Sequence, residues 1–279
     1  MAHKFRLFTI DGKFPLGEEV FCAILNVAVE TLVQEKLKDS KTNISLELTP
    51  RLITEAYEKL KHTTIGDCSG QQLQEFLITA ILKRYWEIAF PEKKFFLAFP
   101  PDASIDSVII ETLKDGFKIE ADNLTATEQT SIYHFQIKEM REEDDIFAIA
   151  ERGMKSDGEE RLLDSEMFKQ FMVRLQKKII GSGAYENTIP ILFMRASSTS
   201  SFNVPEISLA FQKINGGYFK QMWLIAPFYA VKTEDGAVPP TPKSGFNFLV
   251  HDLLRPVTDP EGYEFTVLSI QCSFLSSIL

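Results

Sequence analysis

The sequence predicts a single α/β domain in which a central mixed β-sheet is flanked by helices, with a helical portion at the N-terminus. Three observations lead to this prediction. Helical periodicity runs through the first 90 or so residues, short β-rich segments follow to about residue 140, and helix then alternates with strand. The chain has 279 residues, of which 44% are hydrophobic and 25% are charged, as is typical of a globular protein with a sizeable core.

The N-terminal portion is predicted to contain three helices after a short strand-like segment. Apolar residues recur at helical spacing in the first helix, and Pro50 stands where a first helical turn tolerates proline. Pro91 ends the third and longest helix. The strand-like segment is Phe5–Ile10, and the helices are expected over Glu18–Lys36, from Thr49-Pro50 onward, and from Ser69 or Gly70 to Pro91.

The middle of the chain is predicted to form four antiparallel strands. The segments are short, rich in Ile, Val, Phe and Tyr, and separated by turn-forming or polar residues. Lys114-Asp115-Gly116 is predicted to be a hairpin turn. The strands are expected over Phe95–Phe99, Ser107–Leu113, Phe117–Leu124 and Ser131–Met140.

The remainder alternates helix and strand after a charged, irregular segment, Glu142–Glu160. An amphipathic helix is expected from Asp164 or Ser165 to Ile180, with Phe168, Phe171 and Leu175 on its apolar face. Because no segment resembles a flexible linker, we expect one domain. The later elements are a strand at Thr188–Arg195, a helix at Pro205–Ile214, a strand at Tyr218–Phe228, the segment Gly245–Leu254, and a strand-like segment at Tyr263–Cys272.

Composition limits the classes of protein to which the chain can belong. Its net charge of -9 argues against coating nucleic acid through bulk charge, although an enzyme with a local basic groove is still compatible with it. No apolar run reaches the roughly 18 residues of a membrane span, and the start does not resemble a secretory signal. Three distant cysteines have no zinc-type spacing. We therefore expect a cytoplasmic protein with reduced thiols and no membrane partner.

A polar trio on one predicted strand suggests a site. In Ser131–Met140, the side chains of His134, Gln136 and Lys138 share one face, and the alternating residues share the other. If the strands Phe117–Leu124 and Ser131–Met140 form a hairpin, Asp122 lies near Gln136 and faces the same side as Lys138. A solvated strand face would produce the same pattern.

These residues resemble the PD-(D/E)xK nuclease superfamily, in the variant whose triplet is Q-x-K. That core is a helix, three antiparallel strands, a helix and a strand, with an acid on the second strand and the triplet on the third. Gln136-Ile137-Lys138 matches the triplet, and the resemblance covers roughly residues 70–228. It implies a restriction-endonuclease-like core at 70–228, a helical N-terminal extension at 1–69 and a C-terminal extension at 229–279.

The resemblance also implies a divalent-cation site of Mg²⁺ or Mn²⁺. Asp122, the Gln136 side-chain oxygen and a backbone carbonyl near Ile137 would hold the cation, and Lys138 would orient water or neutralise developing charge. Asp106, which stands at the start of a strand, is the alternative aspartate. A helical glutamate often completes the family's site, and both Glu75 and Glu87 are candidates.

The leading functional hypothesis is a metal-dependent nuclease that acts on DNA, in restriction, repair or defence. The alternative is a catalytically inactive binding or scaffold protein with the same fold, which the replacement of an acid by Gln136 and the acidic net charge both favour. A third reading assigns the α/β core to another family and treats the triplet as accidental. The oligomeric state stays open, with a homodimer among the alternatives.

Overall fold

The computed structural model describes residues 4–39, 50–101, 103, 105–113, 118–120, 123–125, 130–140, 173, 188–194, 204–215, 219–228, 245–256 and 266–272. Four helices and ten strands lie in these ranges. The helices are α1 (Gly17–Asp39), α2 (Pro50–Leu60), α3 (Gly70–Ala89) and α4 (Val204–Asn215). The strands are β1 (Lys4–Arg6), β2 (Lys93–Ala98), β3 (Ser107–Leu113), β4 (Lys118–Glu120), β5 (Asn123–Thr125), β6 (Thr130–Met140), β7 (Thr188–Met194), β8 (Trp223–Phe228), β9 (Gly245–Asp252) and β10 (Thr266–Gln271).

Seven strands form one mixed sheet in the order β10-β9-β8-β7-β6-β3-β2. The pairs β6–β7 and β7–β8 are parallel, and the other neighbours are antiparallel. The chain is therefore an α/β protein with a large mixed sheet, which confirms the fold class at this level. β9 and β10, predicted to lie in a C-terminal extension, belong to the same sheet as β6.

Helix α3 covers one face of this sheet and is the most deeply buried helix described. It begins with a capping box, in which the Gln72 backbone N–H donates to Ser69 Oγ and the Ser69 N–H donates to Gln72 Oε1. Phe76, Leu77 and Ile81 are fully buried against a core that also receives Phe135 and Ile137 of β6. Helices α1 and α2 contribute to the same core, so this face is the helix-covered face of the sheet.

A second, three-stranded sheet packs against β2 and β3 on the opposite face. Its order is β1-β5-β4, and Phe5 and Leu124 bury their side chains against Val108 and Ile110 of β3. The predicted strand 117–124 is thus wrong, because the structure has two short strands here that pair with each other. The predicted hairpin with 131–140 is also wrong, since β6 pairs with β3 and β7 instead.

The observed pairing follows from how many faces of each strand can be buried. Residues 108–110 are apolar on both sides and are buried on both, between the helices and the small sheet. The segment from Lys118 to Thr125 offers only Ile119 and Leu124 as large apolar side chains. Such a segment can bury only one face, which suits the small outer sheet and not the middle of the large one.

Most other predicted elements are confirmed within a few residues. The hairpin turn predicted at 114–116 and the irregular segment predicted at 142–160 lie outside the described residues, and β3 and β4, on either side of that turn, belong to different sheets. Two further elements need comment. The strand predicted from Tyr218 begins only at Trp223, because the residues just before it are held in a loop by Asn215, whose side chain bonds both the N–H and the carbonyl of Phe219. The helix predicted over 164–180 lies outside the described residues, apart from Val173. No helix in the described ranges is both long and apolar enough to cross a membrane.

Candidate functional site

Strand β6 carries the Gln136-Ile137-Lys138 triplet just past its last pairing with β3, at Phe135, where it still pairs with β7. Because side chains alternate along a strand, Ile137 is buried in the core of the helix-covered face, while Gln136 and Lys138 lie on the opposite face. Gln136 is only 7% exposed, and Lys138 is half-buried. The two polar members of the triplet thus share a face, as the sequence predicted.

Asp106 lies directly beside this triplet. Ser107 pairs with Phe135, so the preceding residue of this antiparallel ladder stands across from Gln136. The Asp106 backbone N–H donates to the Phe135 carbonyl at 3.0 Å. Its Oδ2 accepts a hydrogen bond from the Ile137 backbone N–H at 2.6 Å. The first hydrogen bond thus fixes the backbone of Asp106 beside β6, and the second fixes its carboxylate against the backbone of the triplet.

Asp122 lies outside the described residues, so its position relative to the triplet stays a prediction. The expected position of Asp122 beside Gln136 depends on a hairpin between 117–124 and 131–140, which does not form. In the structure, Val108 and Thr188 pair with His134, where that hairpin would have placed Asp122. Of the two candidate aspartates, Asp106 is the one that the described residues place at Gln136.

The two candidate glutamates on α3 lie at different ends of the helix. The Thr79 hydroxyl is 2.6 Å from the Ser107 hydroxyl, and it also donates to the Glu75 carbonyl one turn earlier, so Glu75 stands near the start of β3. Its side chain accepts from Gln71 Nε2 at 2.8 Å. Glu87 lies twelve residues further along α3, roughly 18 Å away along a helix axis. Glu75 is thus nearer than Glu87 to the start of β3, but as part of α3 it lies on the helix-covered side of the sheet, whereas Gln136 and Lys138 lie on the opposite face.

Glu87 has a structural role instead. Its carboxylate forms a salt bridge with the buried Lys83 ammonium and accepts from the Gly17 backbone N–H at 3.0 Å. These contacts join α3 to the first turn of α1. The sequence alone leaves Glu75 and Glu87 as equal candidates for the site. The contacts of Glu87 at this helix junction account for its presence without a role in the site.

The donor atoms around Asp106 fit a hard divalent cation in type. One carboxylate, an amide oxygen and backbone carbonyls are the ligands that Mg²⁺ accepts, together with water and substrate phosphate. Within the described ranges, no three His, Cys, Asp or Glu side chains form a group that could hold a metal ion. A cation here would therefore use Asp106, the Gln136 side-chain oxygen and a backbone carbonyl.

Distance along the chain from the triplet favours Asp122, and this criterion does not predict that Asp106 lies beside the triplet. The useful signal was the position of Asp106 immediately before the second of three antiparallel strands, Ser107–Leu113, whose bounds the sequence predicts correctly. The chain between this strand and β6 contains β4 and β5, which belong to the other sheet. Asp106 is therefore adjacent to Ile137 in space although 31 residues apart in sequence.

Comparisons with protein-family models, with curated proteins and with solved structures found no match to this chain.

Proposed function

We propose that this protein is a metal-dependent nuclease that hydrolyses phosphodiester bonds of DNA, with Asp106, Gln136 and Lys138 at its site. The observation that supports this function is the hydrogen bond between Asp106 Oδ2 and the Ile137 N–H, at 2.6 Å. It holds an acid at the start of the second antiparallel strand against a Q-x-K triplet on the third. The residues from α3 through β6 also follow the element order of the PD-(D/E)xK resemblance.

Each residue has a separate task in this reaction. The Asp106 carboxylate, aligned by the backbone of β6, supplies the negative charge of the cation site, and the Gln136 amide oxygen supplies a neutral ligand. Asp106 and Gln136 would hold Mg²⁺ or Mn²⁺, which would supply Lewis-acid activation of the phosphodiester and of water. The Lys138 ammonium, on the same strand face as Gln136, orients the attacking water and offsets the negative charge that develops on the phosphoryl oxygens.

The test is cleavage of linear, circular and single-stranded DNA with Mg²⁺ or Mn²⁺. Lys138→Ala is expected to reduce cleavage by about 10²- to 10³-fold, as loss of one charge-stabilising donor does in other enzymes. Lys220→Ala is the matched control, because Lys220 is exposed and lies outside the site. Cleavage that survives Lys138→Ala would place the activity elsewhere.

The same assay separates the aspartates. Asp106→Asn keeps an oxygen that can accept from the Ile137 N–H while removing the charge, so it tests cation binding with little structural disturbance. We expect this variant to lose cleavage and Asp122→Asn to retain it. The reverse pattern would show that Asp122 is the ligand and that Asp106 only stabilises the β3–β6 ladder.

A catalytically inactive scaffold of the same fold is the second candidate. The burial of Gln136, at 7% exposure, favours it, because a buried amide is well suited to a structural hydrogen-bonding role. This candidate predicts that neither the wild type nor any variant cuts DNA with either metal. It also predicts that Gln136→Ala lowers the thermal midpoint, since partners of the amide would lose their hydrogen bonds.

A further inference from the structure

Two of the three cysteines of the chain meet where α1 covers the last strand of the large sheet. Cys22 lies in the second turn of α1, and Cys272 directly follows β10, so the two residues come from distant parts of the sequence. Cys272 belongs to the helix-covered core, and Cys22 packs against the same core. Both are free thiols, and neither has a role in the site around Asp106.

The Cys22 thiol contacts the backbone at the end of β10. Its Sγ donates a hydrogen bond to the Gln271 carbonyl oxygen at 3.4 Å. This carbonyl belongs to the peptide bond that leads into Cys272, whose Cα lies roughly 3 Å from the oxygen in a planar peptide. The Cys22 sulfur is therefore within roughly 6 Å of the Cys272 Cα.

The Cys272 side chain lies on the face of β10 that the helices cover. Leu268 and Ile270 are buried in the helix-covered core, whereas Gln271 is exposed. Because side chains alternate along an extended chain, Cys272 continues the buried series, and it is fully buried. A hydrogen bond with the Cys22 thiol, together with burial, raises the pKa of Cys272, in agreement with two thiols in contact.

Packing fixes α1 against this end of the sheet. The Phe21 ring lies edge-to-face on Phe246 and Phe248 of β9, with ring centroids 6.2 Å and 5.3 Å away. Gln271 of β10 pairs with Gly245, the residue before Phe246. The cysteine of α1 and the cysteine after β10 are thus held close together by the core, without a covalent bond between them.

The two thiols differ in their access to solvent. Cys22 is partly exposed, whereas Cys272 is fully buried. A small oxidant therefore reaches Cys22 first and finds Cys272 beside it. An accessible thiol with a second thiol next to it is the arrangement of a redox pair, in which the second thiol resolves the oxidised form of the first.

We propose that Cys22 and Cys272 are a redox modification site, at which hydrogen peroxide forms a reversible, stabilising disulfide between α1 and the end of β10. The Cys22 thiolate attacks one peroxide oxygen, the O–O bond breaks, and a sulfenic acid and one water result. The Cys272 sulfur then displaces the sulfenic hydroxyl, which leaves with the Cys272 proton as a second water. Two thiols lose two electrons, and one peroxide molecule gains them.

A disulfide at this position has a physical consequence for the fold. β10 is the outermost strand in the described large sheet and pairs there with β9 alone, so the bond would attach it to α1 as well. The bond would also close a loop that contains most of the chain, and cross-links that close long loops restrict the unfolded state most. The oxidised protein should therefore melt about 5 °C or more above the reduced protein.

The inference does not depend on the nuclease proposal. The cysteine pair lies in the helix-covered core, whereas Gln136 and Lys138 lie on the opposite face of the sheet. The test below uses no DNA and no metal. A failure of disulfide formation would leave the nuclease proposal untouched, and a protein that cuts no DNA could still form the disulfide.

The small number of cysteines makes the count of thiols a direct readout. The protein is reduced, separated from the reductant and treated with a small molar excess of hydrogen peroxide. We expect the thiol count under denaturing conditions to fall from three to one. Digestion without reductant should then give one linked pair of peptides, which contain Cys22 and Cys272 and have lost two hydrogens. Dithiothreitol should restore all three thiols by thiol–disulfide exchange.

Three substitutions assign the roles of the cysteines. Cys272→Ala removes the resolving thiol, so the sulfenic acid on Cys22 should persist and be captured by dimedone. Cys22→Ser should give neither the dimedone adduct nor the disulfide. Cys68→Ser is the matched control, because Cys68 lies in the turn before α3, and it should form the disulfide as the wild type does. The peptide map of the wild type decides the case even where a variant fails to fold.

Thermal melting measures the consequence for stability. Peroxide should raise the melting temperature of the wild type and of Cys68→Ser, and it should leave that of Cys22→Ser unchanged. The proposal is overturned if the wild type keeps three thiols, or if the disulfide contains Cys68 or joins two molecules. It is also overturned if the linked protein melts no higher than the reduced protein.

Discussion

The side chain of Lys83, on α3, is almost fully buried. Two oxygen atoms accept hydrogen bonds from its ammonium group and compensate its charge. One is the Pro15 carbonyl at 2.9 Å, and the other is the Glu87 carboxylate one turn further along the helix. Burial lowers the pKa of Lys83, and the attraction of Glu87 opposes this effect. Breaking such a pair on one side leaves a buried charge without compensation.

We therefore predict strong coupling between Lys83 and Glu87. Glu87→Gln should reduce the free energy of unfolding by about 3 kcal/mol, because the Lys83 charge stays buried. Lys83→Met should cost less, since Glu87 keeps the Gly17 N–H and has Arg84 Nη1 at 3.9 Å. In urea unfolding, the double variant should lose at least 1 kcal/mol less free energy of unfolding than the two single variants lose together. Additive losses would contradict the coupling.

His251 is a second buried ionisable group, and it gives the protein a predictable dependence on pH. Burial, with a smaller contribution from Arg255, lowers its pKa from 6.5 to about 4. The unfolded chain therefore binds a proton more readily than the folded protein between these values. The contribution of neutral His251 to the free energy of unfolding is therefore fully present above pH 6.5, and it is lost as the pH falls towards 4.

The expected loss at pH 5 is about 1–2 kcal/mol, after allowance for solvent screening. It can be measured by urea unfolding at pH 7.5, 6 and 5 in the wild type and in His251→Gln. The variant should lose less stability than the wild type over this range. His62→Gln is the control, because His62 is exposed and should retain the wild-type dependence. Parallel curves for all three proteins would refute the assignment.

At the scale of secondary-structure elements, the junction of α1 with α3 depends on a close approach at Gly17. A Cβ atom on this residue would lie 2.5 Å from the Ala80 carbonyl oxygen and 2.5 Å from the Arg84 nitrogen, both of them backbone atoms of α3. The Gly17 N–H also donates to Glu87, so the first turn of α1 cannot move away without loss of that bond. Neither helix has space for a side chain here.

Gly17→Ala is therefore expected to destabilise the protein by about 2–3 kcal/mol, as overpacking of a rigid contact does. Leu16→Ala is a suitable control, because Leu16 is 49% exposed and its backbone contacts would not change. It should stay within about 0.5 kcal/mol of the wild type. Chemical denaturation of the three proteins provides the comparison, and equal stabilities would show that α1 and α3 can separate at little cost.

Elements also show where sequence reasoning succeeded and where it could not. The capping signal at Ser69 and the apolar segments of β3 and β7 are local, so their positions could be predicted from neighbouring residues. Strand pairing is not local. Adjacent segments usually pair, and that expectation assigned 117–124 to the wrong neighbour. The contact of Asp106 with Ile137 was hidden for the same reason.

A cavity of about 280 Å³ on the helix-covered face could not be predicted from the sequence for a related reason. Its wall combines Trp86 from α3, Tyr133 from β6 and Trp223 from β8, which are brought together only by the order of strands in the sheet. In the sequence, each of these residues belongs to an ordinary apolar stripe. Two buried atoms without a hydrogen-bond partner among the described residues, Trp223 Nε1 and Gln221 Oε1, are likewise evident only once neighbouring atoms are known.

For the whole molecule, the large sheet separates two chemical environments. The face that carries Gln136 and Lys138 receives the small sheet at its β2–β3 end and α4 near β9, where Ser208 Oγ is 3.3 Å from His251 Nε2. The other face receives α1, α2 and α3. Rigid strands connect the two sides, but their side chains alternate, so Gln136 and Lys138 share no side-chain environment with the helix-covered core.

This separation leads to a prediction about function. Trp223→Phe should leave DNA cleavage within about twofold of the wild type, because Trp223 belongs to the helix-covered core and Lys138 lies on the opposite face. The cleavage assay on the wild type, Trp223→Phe, Lys138→Ala and the double variant measures this, and the double variant should cut no worse than Lys138→Ala alone. A Trp223→Phe variant that is folded but no longer cuts DNA would show instead that the helix-covered face and the Asp106 site belong to one functional unit.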